Sequence, residues 1–388
     1  MELITLVPSM AKSAGTERAQ LQICRELARR GHTVHVAFCR PGQMEQNWLE
    51  FSSEMLYLRR FDAWRQLVST AHGKRRSGRR IAYMHHNGRW ENFAFAFLLG
   101  RVFRQPVCWH MHLPLPFGGR LPMPPTAVRL LRRLLSIDGA IFVSRANMSS
   151  WERVGFPTDG DNVVLNGVDV EYFVPAEGDQ RKLCRDRLGV QEGTFMVAMV
   201  GRLNDEKGAP VLIDAWECLN RGRPELDTTL LLVGRVESVQ TRAAIDRASI
   251  DGETRVTHRD WVSDPRTAYW AADLVVVPSV WDEPFGLVLV EAMACGCPVV
   301  TTRTGGCVEA LGQWAKRYPF CVVSPGSSAE LAAAIARVSE VGASEIERMS
   351  AAARQHAVDE RDIRTTVASI EGHLLALASR TGAARFPH

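Results

Sequence analysis

Between Asp273 and Glu309 the chain reads DLVVVPSVWDEPFGLVLVEAMACGCPVVTTRTGGCVE, a strand, an acidic loop, a helix and a second strand with almost nothing in between. Asp273 to Val277 is a β-branched run stopped by Pro278, as expected of a strand buried on both faces of a parallel sheet. Pro284 and Gly286 break the chain ahead of a helical pattern at Leu287, Leu289, Val290, Met293 and Ala294, and Gly296 and Pro298 end it before Val299. A strand feeding directly into a helix and on to another strand constrains the fold to an α/β architecture. The amides of Gly286, Leu287 and Val288 then become helix-start donors beyond the carboxyl end of a strand, where open α/β sheets bind ligands. Such donors favour a phosphate. Glu283, just outside the helix, can accept hydrogen bonds from hydroxyl groups, and Glu291, inside it, can grip a vicinal diol. An isolated glutamate would be read as a solvated acid; two of them around phosphate donors fit a sugar nucleotide.

The Glu283 to Glu291 segment resembles the E-x7-E signature of retaining glycosyltransferases of family 4, and further likenesses follow along the chain in that family's order. SAGTER (Ser13 to Arg18) resembles the glycine-rich loop, with Ala14-Gly15 where the family has Gly-Gly, and RELARRGHTVHV resembles the helix-to-strand passage after it. QPVCWHMHLP resembles the strand ending in the active-site histidine, NGVDVEYFVP the interdomain segment, and GRLNDEKG the diphosphate-binding loop. The resemblance implies a GT-B fold, an α/β arrangement of two Rossmann-like β/α/β domains facing each other across a cleft. It implies an acceptor-binding domain at 1–165, a nucleotide-sugar domain at 166–362, and a final segment at 363–388 whose helix returns to the first domain.

Loss of a sugar from a nucleoside diphosphate builds charge on the departing phosphates, so fixed cations are the main requirement. Arg202 and Lys207, after the strand MVAMV, supply them, and Gly201, Gly208 and Gly15 allow close backbone approach. His110 and His112 alternate at a strand end and point to one face. The resemblance places His112 where the family's histidine orients the transferred sugar. It also implies that HRDWVSD lines the base pocket through Trp261 and Val262, and that Pro284, Phe285, Gly286 and Leu287 carry the donor-binding turn. UDP-glucose or UDP-N-acetylglucosamine is expected ahead of GDP-mannose. Retention is implied, without a choice between front-face return and a covalent intermediate. No cofactor and no metal are expected; Asp159-Gly160-Asp161 has the spacing of a metal-holding pair but sits in a turn away from both phosphate loops.

The remaining sequence bounds these expectations. A chain of 388 residues, 46% hydrophobic and 23% charged, suits two globular domains. No apolar run approaches a membrane span, and strand residues open the chain where a signal peptide would stand, so a cytoplasmic protein is expected. Nine scattered cysteines without a CxxC pair argue against disulfides or zinc, and Cys108 reads as a core residue. Strands are predicted near Ile4, Val34, Ile81, Val107, Ile141, Val197, Leu231, Val256, Val275, Val299 and Val322, and closing helices at about 344–356 and 363–379, with a disordered tail after Arg380. Residues 1 to 165 hold 23 Lys and Arg against 12 Asp and Glu, whereas the rest holds 24 against 31. The two halves therefore suit different partners. KRRSGRR (Lys74 to Arg80) and the leucine-rich helix with Arg129, Arg132 and Arg133 suit an anionic membrane face or an anionic acceptor, either a lipid-linked glycan or a small molecule. Solvated arginines over an ordinary core stripe are the plainer account. No motif that reads nucleic acid accompanies the charge. The proline-rich stretch Pro114 to Pro125 is a lid candidate. A nucleotide-sugar epimerase or an inactive sugar- or membrane-binding relative are the alternatives. A dehydrogenase is disfavoured because no G-x-G-x-x-G follows the first strand.

Overall fold

Short β-branched and apolar runs, each cut off by glycine, proline or a polar turn, become the strands of two separate parallel sheets. The computed structural model describes residues 1–10, 15–59, 61–72, 80–86, 90–113, 124–250 and 255–385. The sequence features Ser13-Ala14, Lys74 to Arg79 and residues 114–123 of the lid candidate lie outside them.

The first sheet comprises β1 (Glu2–Val7), β2 (Thr33–Phe38), β3 (Glu54–Tyr57), β4 (Arg80–His86), β5 (Val107–Met111), β6 (Ile137–Phe142) and β7 (Asn162–Val163), in the order β3-β2-β1-β4-β5-β6-β7. All of its pairings are parallel. The second comprises β8 (Phe195–Val200), β9 (Thr228–Val233), β10 (Val256–Arg259), β11 (Leu274–Val277), β12 (Val299–Thr302) and β13 (Val322–Val323), in the order β10-β9-β8-β11-β12-β13. Strand order reverses at β1/β4 in one sheet and at β8/β11 in the other. At such reversals the loops on the carboxyl side diverge and leave a crevice.

Period-two alternation explains why these strands are apolar throughout. In β1, Leu3 and Val7 enter one core with Ile23, Leu27 and Val34, while Ile4 and Leu6 enter the other with Met84, Trp109 and Phe142. Both faces are therefore covered, by helices that the crossovers supply. The edge strand β3, EMLY, of which only Leu56 is fully buried, is not predicted from the sequence.

The chain divides at Asn166/Gly167, with residues 1–166 and 363–388 in one unit and 167–362 in the other. In the first unit the helix Ile363–Arg385 lays Val367, Ile370, Leu374 and Leu377 into the core that holds Leu3 and Ile23. Glu371 fastens it, accepting from Arg30 Nη1 at 3.1 Å and standing 2.6 Å from His32 Nε2. The helix runs to Arg385, which corrects the sequence expectation of a disordered tail for residues 381–385; residues 386–388 lie outside the described ones.

Two charged features also change meaning. Arg80, counted with the basic run, is the first residue of β4 and is buried, donating from Nε to Glu2 Oε2 at 2.7 Å across the β1–β4 pairing. Arg132, counted with the basic helix, is bidentate to Asp161 at 2.7 and 2.9 Å. Asp161 also accepts from the Ala140 amide at 2.7 Å, so this residue of the DGD turn is a structural anchor for β6. On the helix Pro125–Leu134 it is Arg129, Leu130, Arg133 and Leu134 that face solvent.

Candidate functional site

In the second unit the residues converge where β8 and β11 end side by side. Beyond β8, Gly201 donates its amide to Val233 O at 2.9 Å, and the loop to Gly208 leads into the helix Ala209–Gly222. Asn204 Oδ1 accepts the Lys207 amide at 2.9 Å, a side-chain turn that fixes the backbone of the lysine. Asp205 Oδ1 accepts from Ser238 Oγ at 2.6 Å and Thr241 Oγ1 at 3.0 Å, tying the loop to the one after β9. The loop beyond β11 joins it through Val280 N to Glu206 O at 2.9 Å. Gly208 sits at φ +75°, and a Cβ there would lie 1.9 Å from Pro278 O, so only glycine permits this approach of the two loops.

Lys207 Nζ donates to Glu283 Oε2 and stands 5.3 Å from the Trp281 ring centroid. The same carboxylate oxygen accepts from Trp281 Nε1 at 3.1 Å and Ser279 Oγ at 3.2 Å. Three donors on Oε2 leave Oε1 of Glu283 available to another hydroxyl. Its main chain is held as firmly: Gly306 N donates to Glu283 O at 2.7 Å, and a Cβ on Gly305 would come within 2.0 Å of that carbonyl. Pro284 and Phe285 are buried behind it, and Gly286, at φ +89°, begins the helix Leu287–Ala294. The amides of Gly286, Leu287 and Val288 have no acceptor among the described residues. One oxygen of Glu291 accepts from Tyr269 OH at 2.7 Å, which orients the carboxylate on the helix.

Arg202 is placed differently from Lys207. Its side chain is 51% exposed and pairs through Nη1 with Glu237 Oε2 at 3.1 Å, an oxygen that also accepts from Asn204 at 3.2 Å. Trp261 lies past the edge strand β10, 63% exposed, with Val262 half-buried beside it. The structure thus joins Lys207, Glu283 and the start of the Gly286 helix in one knot, and sets Arg202 with Glu237 on the neighbouring loop.

In the first unit Gly15 opens the helix Gly15–Arg29 after β1, and no atom of the described residues lies within 4 Å of where its Cβ would stand. His112 follows β5, and it is not alone. His85 on β4 is the register partner of His110 on β5, and the His85 and His112 rings stack at 4.6 Å and 13°. His110 and His112 rings are 4.1 Å apart, and Tyr83 OH lies 2.7 Å from His110 Nδ1. All three imidazoles are buried. Burial holds His85 and His110 well below the usual imidazole range, and their histidine neighbours push in the same direction. Cys108 is buried in the adjacent core with its thiol pushed up by burial, as a packing residue should be.

Sequence reasoning did not single out Glu237, Trp281, Ser279, Tyr269, Tyr83 or His85. Of these only His85 left a readable signal, since YMHH ends an apolar strand as HMH does.

Two family models cover most of the chain, "Glycosyltransferase Family 4" over residues 13–172 and "Glycosyl transferases group 1" over residues 180–356. The chain belongs to glycosyltransferase family 4. Relatives include the D-inositol 3-phosphate glycosyltransferases of Arthrobacter sp. (strain FB24), 39% identical over 39% of this chain and 36% of the relative, and of Saccharomonospora viridis, 35% identical over 58% and 52%. The matches thus span about a third to a half of those relatives' length. Among solved structures, Anabaena Alr3699/HepE in complex with UDP-glucose aligns over 97% of this chain and all of that one, with a TM-score of 0.75 and 24% identity. A glycosyltransferase from Rickettsia africae ESF-5 aligns over 97% and 98%, with a TM-score of 0.78 and 17% identity. At these identities the likeness establishes the fold, and the two parallel-sheet units of this family 4 chain are those of GT-B.

Proposed function

We propose that this chain transfers a hexosyl unit from a nucleoside diphosphate sugar to an acceptor, with retention of anomeric configuration. The observation that carries the reading is the Lys207–Glu283 knot beside open helix-start amides at the β8/β11 reversal. Lys207 can exchange its bond to Glu283 for one to a phosphate oxygen without moving its backbone. Arg202 would leave Glu237 for the same diphosphate, and the amides of Gly286 to Val288 complete a donor set in which negative charge grows as the sugar departs. Glu283 and Glu291 then have oxygens for sugar and ribose hydroxyls, with His112 orienting the transferred sugar. Gly201, Pro284, Phe285 and Leu287 supply backbone and wall, and Trp261 with Val262 the side of the base; Gly15, in the first unit, is assigned close backbone approach to the donor. In front-face return the leaving phosphate itself takes the acceptor proton, so no protein base and no metal are required.

UDP-glucose or UDP-N-acetylglucosamine is favoured over GDP-mannose, a preference in keeping with the UDP-glucose held by the Anabaena protein. The acceptor is assigned to the first domain, residues 1–165, whose basic balance suits an anionic or lipid-linked glycan or a small phosphorylated polyol such as the one that the curated relatives' name specifies. Solvent-facing Arg129, Leu130, Arg133 and Leu134, with Arg101 and Val102 alongside, form a face suited to the cytoplasmic side of an anionic membrane. Among the described residues no helix is long and apolar enough to cross one.

The test is nucleotide release from a panel of UDP-, GDP-, ADP- and TDP-sugars, followed by an acceptor screen with the winning donor and NMR of the product's anomeric centre. A retained configuration and undiminished turnover in EDTA are expected. Turnover that needs no acceptor and yields an epimerised nucleotide sugar would replace transfer by epimerisation. Complete loss in EDTA, restored by magnesium or manganese, would overturn metal independence.

A further inference from the structure

The first domain contains a second set of convergent donors that the transfer chemistry leaves partly unused. One ring nitrogen from each of His85, His110 and His112 lies within 4.8 Å of the other two, and all three residues are buried. Both ring nitrogens of His85 and Nε2 of His110 are fully buried with no hydrogen-bond partner. Orphaned buried nitrogens are costly, and a bound ion would take one of the two on His85 together with Nε2 of His110. Two adjacent parallel strands hold the set: His85 and His110 are register partners, and His112 follows on the same face of β5. Tyr83 OH meets His110 Nδ1 at 2.7 Å, the outer-shell hydrogen bond that fixes a ligating imidazole's tautomer and aim.

We infer that His85, His110 and His112 form a binding site for a divalent transition-metal ion of the zinc, cobalt or nickel class. Imidazole-only donors select these borderline ions and exclude magnesium and calcium, which need oxygen. Zinc to imidazole bonds of about 2.0–2.1 Å set neighbouring nitrogens about 3.3 Å apart in a tetrahedron, so the rings must close by ring rotation of the order of 1 Å. Three protein ligands leave one position for water or a substrate oxygen. The ion is not a cofactor of transfer. It engages His112, so metal and sugar compete for one imidazole, and zinc acts as an inhibitor that EDTA removes.

Cobalt titration of the tag-free, EDTA-stripped chain tests binding without reference to activity. One equivalent should produce the visible ligand-field bands of low-coordinate cobalt, which zinc abolishes and excess magnesium leaves unchanged. His85→Asn should weaken cobalt by more than about 100-fold, and Tyr83→Phe, through the outer shell, by about 10- to 100-fold. Circular dichroism verifies folding of each variant, and Tyr83→Phe carries the test if His85→Asn does not fold. Absence of the bands in the folded parent, or parental affinity in both variants, overturns the site. Zinc inhibition of transfer is a separate arm that rests on the proposed function. Cobalt binding without any transferase activity would refute that function and leave the metal site standing.

Discussion

Lys207→Ala is expected to lower kcat for transfer by about 100- to 1,000-fold, the loss that follows removal of one preorganised charge or donor at a site of developing negative charge. In free energy this is about 2.7–4 kcal/mol at the transition state. The effect belongs in kcat because the lysine already has a partner, Glu283, in the resting protein. On the proposed function it would gain most as the diphosphate acquires further charge, and so would stabilise the transition state more than the bound donor. Stability should change little by comparison. The Lys207 side chain is 22% exposed, and Glu283 keeps Ser279 and Trp281 as donors to the same oxygen. Lys207→Arg separates charge from geometry: it restores the charge, but a planar fork cannot reproduce a point contact held by the Asn204 turn. Steady-state kinetics with a saturating donor decide the matter. A folded Lys207→Ala protein with parental kcat would remove Lys207 from the reaction, and a rise in KM alone would reduce it to a binding residue.

The backbone of this site was legible because its signals are local. Pro278 ends β11, Pro284 and Gly286 open the helix that carries Glu291, and Gly208 precedes the helix after the Lys207 loop. Each is a steric statement about its own φ and ψ, readable without knowing the neighbours. Ser279 and Trp281 sit in the loop of Glu283 itself and carried no mark of their role, and the other partners were not legible because each comes from a distant element. Glu237 reaches Arg202 from the loop after β9, Tyr269 reaches Glu291 from the helix preceding β11, and His85 meets His110 only through the β4–β5 register. Counting charges along the chain fails for the same reason. Arg80 belongs to a basic run in sequence and to a buried ion pair in the fold, and nothing in KRRSGRR distinguishes it from its neighbours.

Arg132 is the sharpest instance, and it carries the second large effect. Arg132→Met should destabilise the first domain by about 3–5 kcal/mol, the cost of removing one partner of a buried ion pair. The Asp161 side chain is only 1% exposed and accepts two hydrogen bonds from this guanidinium, which also stacks 5.0 Å from the Phe156 ring. Without the arginine the Ala140 amide is the remaining donor to that carboxylate among the described residues, far too little to replace a cation. Asp161→Asn in the Arg132→Met background should recover much of the loss, because it removes the stranded charge while keeping a polar atom for the amide. Because the chain has two units, a single unfolding curve would mix their transitions. Hydrogen–deuterium exchange of β6 peptides in a urea series reads the first domain directly. If Arg132 instead served the outer surface, its replacement would leave β6 exchange unchanged and weaken binding to anionic vesicles. Arg129→Ser and Arg133→Ser, both solvent-facing, should show that second pattern and not the first.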